Sequence, residues 1–292
     1  QAEPRAGLAA QWRVYMAKLD PAGPAKDNDL AKSAALYKSY LEACRAPDVG
    51  MVLLQPARMI RPGDQDPDDP LLQFCPMEPL PAKAPTGSLY QVMESRYDVY
   101  REQIVRPFYR DHFRNFDEQI VLVDVLSALK LGKAAFDDAQ AAIGAILQSF
   151  DYGKSGLLSW LTGVRISKVL FAATKADHVS SNQHHNLKRL LEEMVAREAN
   201  RIRFKGVETA AVALSAVRCT EDVLGEVQGQ TLSMVRGLPQ GRDEETALFP
   251  GEIPTHFPTA QDWRDGRFRF LDFLPVGVGG SASSFLSSAS SL

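Results

Sequence analysis

The sequence has few cysteines and no long apolar run, and these absences exclude several classes of protein. Its 292 residues contain three cysteines, Cys44, Cys75 and Cys219. They are widely spaced and form no Cys-x-x-Cys or Cys/His cluster. Scattered cysteines in odd number indicate a reducing compartment and no structural zinc site, so we predict a cytoplasmic protein. No apolar run approaches the length of a membrane span.

An excess of positive charge is also missing. The formal net charge is -3, and apolar residues make up 45% of the sequence. Such a composition is typical of a chain that buries a substantial core in one large or two smaller domains. The mild acidity argues against nucleic acid as a main partner.

A third absence concerns the binding of phosphates. The loop Gly-x-x-x-x-Gly-Lys-Ser/Thr, whose backbone N–H groups cradle nucleotide phosphates, occurs nowhere in the sequence. No phosphate-binding loop can therefore be named. We expect this chain by itself to hydrolyse nothing.

The stretch from Lys168 to Val179 is the most informative one that is present. Five apolar residues, Val169 to Ala173, predict a short strand buried on both faces, as in parallel sheets covered by helices. Residues 174–177 then lie at the carboxyl end of that strand. Open α/β sheets bind their ligands at this edge, so the polar residues there are candidates for a binding site.

Residues 174–177 read Thr-Lys-Ala-Asp, one form of the base-recognition motif of guanine-nucleotide-binding proteins. The Asp177 carboxylate would accept hydrogen bonds from N1–H and the exocyclic amino group of guanine. The aliphatic stem of Lys175 would lie along the purine with its ammonium group solvated, and Thr174 would tie the loop to neighbouring backbone. In the alternative interpretation, Asp177 is only the N-cap of a helix.

A second strand and motif follow in the order that a nucleotide site requires. Thr209–Leu214 is another apolar run, and Ser215, Ala216 and Val217 end it. Guanine-binding proteins place a Ser-Ala pair there, with backbone N–H groups directed at the guanine O6. A helix over 186–199 is predicted between the strands by apolar residues at helical spacing: Leu187, Leu190, Leu191, Met194 and Val195. The same order fits any βαβ unit, so an ordinary strand-end turn is the alternative.

Asp124 follows the first predicted strand, Ile120–Val123. An aspartate in this position could hold Mg²⁺ through water. We favour a strand-end turn or a helix cap for Asp124.

Three histidines, His178, His184 and His185, lie beside the Thr-Lys-Ala-Asp motif. They lack a third ligand at fixed spacing, so we predict exposed or capping roles rather than a metal site.

Several longer strings resemble the YcjX-like family of P-loop NTPases. The resemblance spans roughly residues 30–275 and is carried by Pro107–Asp117, Gln119–Asp124, Ala135–Asp138, Ser149–Gly153, Leu170–Val179 and Phe249–Pro254. It implies an α/β fold: a partial Ras-like P-loop NTPase sheet, with parallel strands and flanking helices, preceded by a helical insertion. For the full-length protein it implies GTP or GDP with Mg²⁺, slow hydrolysis as a switch, and a role often described as stress-related.

The resemblance also shows what this chain lacks. The Asp-x-x-Gly element that senses the γ-phosphate is missing, because Asp222–Gly225 fits the letters but follows the second base-contacting motif. The family carries this element and the phosphate loop upstream, so we expect a C-terminal portion that lacks the P-loop. The Ile120 strand should then present an unpaired edge.

We expect four regions along the chain. Residues 1–118 form a mainly helical insertion, 119–220 an α/β nucleotide-binding portion, 221–275 a β-rich extension, and 276–292 a disordered Gly/Ser-rich tail. Within the extension, 224–236 is predicted to form a hairpin around Gln228-Gly229, and Arg267–Phe270 an edge strand.

Two other functions remain open. The first is a non-catalytic scaffold for protein interaction or stress response, whose helical region docks a protein partner. The second is an ATPase of the same fold, in which Asp177 is only a helix cap.

Overall fold

The computed structural model describes residues 3–45, 57–60, 66, 69–108, 111, 116–148, 166–227 and 229–275. They fall into two compact units, Gln1–Phe116 and Asp117–Leu292. Among the described helices, none combines the length and the apolarity that a bilayer crossing requires. The predicted tail at 276–292 and a predicted helical continuation at 157–161 lie outside the described residues.

The first unit is helical. It contains α1 (Glu3–Met16), α2 (Asp27–Cys44), α3 (Ala57–Ile60), α4 (Leu89–Tyr100) and α5 (Arg106–Phe108), with a 3₁₀ turn at Pro70–Leu72 and a π-helical turn at Arg101–Val105. Leu30, Ala34, Leu41 and Cys44 follow helical spacing in α2, and all four are buried. Leu30 belongs to an apolar core that also includes Met59, Leu72, Phe74, Cys75, Leu89, Met93 and Tyr100.

The helical backbone changes next to Pro107, where the sequence predicts a kink or a helix end. The π-helical turn Arg101–Val105 separates α4 from the short α5 that contains Pro107. Within it, the N–H of Arg106 donates to the carbonyl of Arg101. Proline cannot donate a backbone hydrogen bond, and a wider turn accommodates that interruption.

The second unit is mixed α/β. It contains β1 (Glu118–Val123), α6 (Val125–Leu131), α7 (Lys133–Gln148), β2 (Lys168–Ala173), α8 (His184–Arg203), β3 (Glu208–Ala213), β4 (Thr220–Val227), β5 (Gln230–Pro239), β6 (Thr246–Leu248), α9 (Ala260–Arg264) and β7 (Phe273–Leu274), with 3₁₀ turns at Ala176–His178 and Ser181–Gln183.

The strands β1, β2 and β3 form a parallel sheet in that order. The three strands predicted from apolar runs are therefore confirmed, each beginning one or two residues before the predicted start. The helix predicted between β2 and β3 is also confirmed as α8, and its five predicted apolar positions are buried.

One face of this sheet is covered by helices, and the other is partly open. Val121, Val123 and Phe171 join residues of α6, α7 and α8 in one buried core. On the opposite face of β1, Ile120 is 63% exposed and Leu122 is 64% exposed. Among the described strands β1 pairs with β2 and lies at the edge of the sheet. That its outer edge is unpaired stays a prediction.

The remaining strands form a second, antiparallel sheet. The predicted hairpin is confirmed, because β4 and β5 pair with Val227 opposite Gln230, which leaves a two-residue connection. β5 also pairs with β6 and β7. The predicted edge strand Arg267–Phe270 is wrong: these residues form no strand. Their alternation reflects burial, since Phe268 and Phe270 enter the core of the α/β unit.

Candidate functional site

The loops after β2 and β3 meet at the carboxyl edge of the parallel sheet. Thr174 N–H donates to Val123 O at 3.0 Å, and Ala176 N–H donates to Leu214 O at 3.2 Å. Lys175 has a left-handed backbone, with φ 58°. Among the described residues it is the one that has a positive φ without being a glycine. Backbone contacts across three strands thus fix the Thr-Lys-Ala-Asp loop beside Ser215.

Asp177 is held by Ser215 and by the segment that leads into β4. Its carboxylate accepts hydrogen bonds from the Ser215 hydroxyl and from Cys219 N–H, the latter at 2.6 Å. Its backbone N–H donates to Ser215 Oγ at 2.9 Å, and its carbonyl accepts from the Thr220 hydroxyl. The interpretation of Asp177 as a helix N-cap is therefore wrong, because its side chain bonds across loops and not to a following helix.

Asp177 and Ser215 line a common cavity of about 350 Å³. Its walls are formed by Ala176, Asp177, Val179, His184, Ala213, Leu214, Ser215, Arg218, Thr220 and Asp222. Thr174, Lys175, Ala216 and Val217, which the sequence also proposes as contacts, are not among the lining residues. Val217 is 59% exposed. The structure thus brings together two of the six predicted site residues around one cavity.

The ammonium group of Lys175 is not solvated as predicted; it is paired with two carboxylates. Lys175 Nζ lies 2.8 Å from Asp124 Oδ2 and 2.7 Å from Asp272 Oδ1. It also donates to Ser127 Oγ at 3.2 Å. Burial lowers the pKa of Lys175, but the hydrogen bonds and charges of Asp124 and Asp272 outweigh burial and raise it. The lysine is therefore a fixed cation that joins three segments of the α/β unit.

Asp124 is the N-cap of α6, as favoured from the sequence. Its side chain accepts from Ser127 N–H at 2.9 Å and from Ser127 Oγ at 2.8 Å. A cap stabilises the first turn of a helix because it satisfies an N–H that has no partner within the helix. The pair with Lys175 adds a second structural role.

Sequence reasoning missed the partners that lie far along the chain. Asp272 is hydrogen-bonded to Lys175, which lies 97 positions earlier in the sequence, and Cys219 is hydrogen-bonded to Asp177, which lies 42 positions earlier. No local pattern marks such contacts.

His178 was predicted to be exposed or capping, but it is buried, with 4% of its surface accessible. Its ring lies edge-on to Phe273, with centroids 5.4 Å apart.

A parallel sheet with flanking helices and a polar cavity at its carboxyl edge defines a mixed α/β protein of the Ras-like class. The chain belongs to the YcjX-like family, DUF463, whose profile matches residues 1–287. This match is wider than the range of roughly 30–275 expected from the sequence.

Two bacterial relatives also support membership of this family. The chain is 35% identical over 278 residues to the "Ras-like GTPase YcjX" of Escherichia coli strain K12, an alignment that covers 93% of this chain and 59% of that protein. It is 35% identical over 275 residues to the protein of the same name in Shewanella oneidensis strain MR-1, covering 92% of this chain and 56% of that protein. The chain therefore spans less than two thirds of the length of these curated relatives.

Proposed function

We propose that this chain supplies the base-recognising part of a Ras-like guanine-nucleotide-binding protein, and that the whole protein is a GTPase switch. In this proposal Asp177 holds the N1–H and amino group of guanine, while the backbone of Ser215 and Ala216 faces O6. Thr174, Lys175 and Val217 shape the loops around the base. The printed name of the two relatives supports the general class.

The observation that carries the proposal is the hydrogen-bonded pair of Asp177 and Ser215 on the wall of one cavity. A carboxylate offers about four lone-pair sites, and within the described residues two are used, which leaves capacity for the two guanine donors. A cavity of about 350 Å³ falls within the range of roughly 300–1,000 Å³ of small-molecule sites. Ser215 also orients the carboxylate, so the acceptor is fixed before a ligand arrives.

We assign no residue of this chain to the binding of phosphates or Mg²⁺. The proposal assigns their binding to other parts of the full-length protein, where GTP or GDP with Mg²⁺ would bind. The position of β1 at the edge of the described sheet supports this view, since an edge strand can offer backbone N–H and C=O groups to a further strand. We also propose a cytoplasmic location, in keeping with three free, buried cysteines. A stress-related role rests on the family resemblance alone.

Calorimetric titration of the full-length protein with GDP and ADP tests the proposal. We expect GDP to bind in preference to ADP, and Asp177→Asn to weaken GDP binding by about 10–100-fold, because hydrogen bonds to a charged acceptor contribute roughly 1.5–3 kcal/mol. Xanthosine diphosphate has a carbonyl where GDP has the amino group. The amide of Asp177→Asn can donate to it, so this variant should gain affinity for xanthosine diphosphate.

Asp137→Asn is the matched control, because it makes the same change at an exposed carboxylate that pairs with Lys133 in the same helix. It should bind GDP as the unmodified protein does. Equal binding of GDP and ADP would favour the ATPase alternative. No nucleotide binding would favour the interaction scaffold, with a protein partner on the helical unit.

A further inference from the structure

The loop of Asp177 contains a cluster that nucleotide binding does not explain. Asp177, His178 and Cys219 bring a carboxylate oxygen, a ring nitrogen and a thiol sulfur within 4.8 Å of one another. Within the part of the chain that the structure describes, these three side chains are the ones whose ligand atoms lie close enough together to hold a metal ion. We propose that it binds one divalent metal ion of the zinc class.

His178 is the observation that points to a ligand. The residue is buried, with 4% of its surface accessible, and its Nδ1 has no hydrogen-bond partner within the described part of the chain. A buried polar atom without a partner costs about 1–3 kcal/mol. A metal ion bound at Nδ1 offsets that cost.

The charges of the cluster suit a divalent cation. Cys219 is a free, buried thiol. The metal displaces the thiol proton, which leaves to solvent. A dication with one carboxylate, one thiolate and one neutral imidazole is a neutral assembly, which limits the cost of burial. The charges of Lys175 and Lys130 nearby are balanced by Asp124 and Asp272.

The donor atoms select the class of metal. Thiolate and imidazole ligands favour Zn²⁺ and related transition metals, whereas Mg²⁺ and Ca²⁺ prefer sites made of oxygen. Three protein ligands leave a fourth position open on a tetrahedral ion. Asp177 also lines the cavity described above, which gives the ion a route from solvent.

Titration of the metal-free chain with Co²⁺, followed by absorption spectroscopy, tests the site. Cobalt replaces zinc in such sites, and its bond to a thiolate gives a charge-transfer band in the near ultraviolet. We expect one Co²⁺ per chain with this band, and release of Co²⁺ by Zn²⁺ but not by Mg²⁺. Cys219→Ser should abolish the band, and His178→Asn should weaken Co²⁺ binding by at least about tenfold.

Cys75→Ser is the matched control, because Cys75 is also a free, buried thiol but belongs to the helical unit. It should keep both the band and the affinity. Circular dichroism of each variant shows whether it has folded. A chain that binds no Co²⁺, or a band that survives in folded Cys219→Ser, would overturn the proposal. Both sites use Asp177, so metal and guanine would compete for its carboxylate. Cys219 and His178 are not part of the proposed base site, so the loss of Co²⁺ binding in their variants is distinguishable from a failure of GDP binding.

Discussion

Asp272 is the residue through which the segment before β7 contacts the Thr-Lys-Ala-Asp loop. Its carboxylate pairs with Lys175 at 2.7 Å and with Lys130 of α6 at 2.9 Å. Burial raises the pKa of Asp272, but the two lysines outweigh burial and lower it. The carboxylate therefore stays ionised and links α6, the loop after β2 and the approach to β7.

Replacing this carboxylate by an amide should destabilise the α/β unit. We expect Asp272→Asn to lower the free energy of unfolding by about 1–2 kcal/mol, because two partly buried ammonium groups lose a charged acceptor. Urea unfolding measures this change. Asp137→Asn, which breaks an exposed pair with Lys133, should cost less than about 0.5 kcal/mol. Equal effects of the two substitutions would contradict a structural role for Asp272.

At the residue scale, the sequence places Asp177 and Ser215 together but does not give the partners of the other predicted residues. Asp177 and Ser215 could be paired in advance because each ends a predicted parallel strand, and neighbouring strands end at the same edge. The environment of Lys175 could not be predicted, since its carboxylate partners come from separate elements. A lysine at a loop tip is exposed on average, and only the tertiary fold reverses that expectation.

At the scale of elements, α9 depends on a capping box. Thr259 accepts from Asp262 N–H, and the Asp262 carboxylate accepts from the side chain and backbone of Thr259. Arg267 and His256 also contact this buried carboxylate. The bonds from Thr259, followed by those from Arg267 and His256, hold the pKa of Asp262 well below its ordinary value of 3.8.

This lowered pKa makes part of the stability depend on pH. Because the folded pKa of Asp262 is below the unfolded value, its contribution is fully present above about pH 4 and is lost as the pH falls toward the folded pKa. Asp262→Asn should unfold more easily at neutral pH, and its urea midpoint should fall less steeply below about pH 4. Asp265→Asn, at the end of the same helix, controls for the loss of one charge. A variant whose midpoint follows the wild-type acid slope would rule out this linkage.

Elements with a strong apolar pattern were predicted well, and those without one were not. β2 is nearly continuous in apolar residues and α8 has a regular stripe, so either pattern suffices to identify its element. Arg267–Phe270 has the alternation of a strand but no neighbour with which to pair. Its two phenylalanines pack against Trp263 and the rest of the core instead. Alternation therefore records which side chains are buried and does not establish a hydrogen-bonded ladder.

At the scale of the whole molecule, β1 is the edge strand of the parallel sheet among the described strands, and it exposes apolar side chains. Ile120 and Leu122 are each more than 60% exposed there. We expect the 292-residue chain to self-associate as its concentration rises, because exposed apolar residues on an edge strand favour association between chains. Sedimentation velocity measures this association. The double substitution Ile120→Thr and Leu122→Thr, which keeps residues suited to strands, should leave monomers.

Leu224→Thr is the control for this prediction, since Leu224 is 76% exposed but lies in the antiparallel sheet. It should associate as the unmodified chain does. A wild-type chain that stays monomeric at every concentration would show that the open face of β1 is not adhesive. An unpaired edge at this strand is expected from the missing phosphate loop, whereas the exposure of Ile120 and Leu122 required the structure.

The left-handed backbone of Lys175 has a consequence for how variants of this protein should be judged. A side chain at positive φ costs about 1 kcal/mol relative to glycine, which is similar in size to what the two ion pairs of its ammonium group contribute. Glycine at this position would relieve the backbone strain but would leave Asp124 and Asp272 without this ammonium group, so its net effect on stability is smaller than the loss of the ion pairs alone would cause. Screens that rank substitutions by melting temperature therefore understate what the Lys175 side chain contributes.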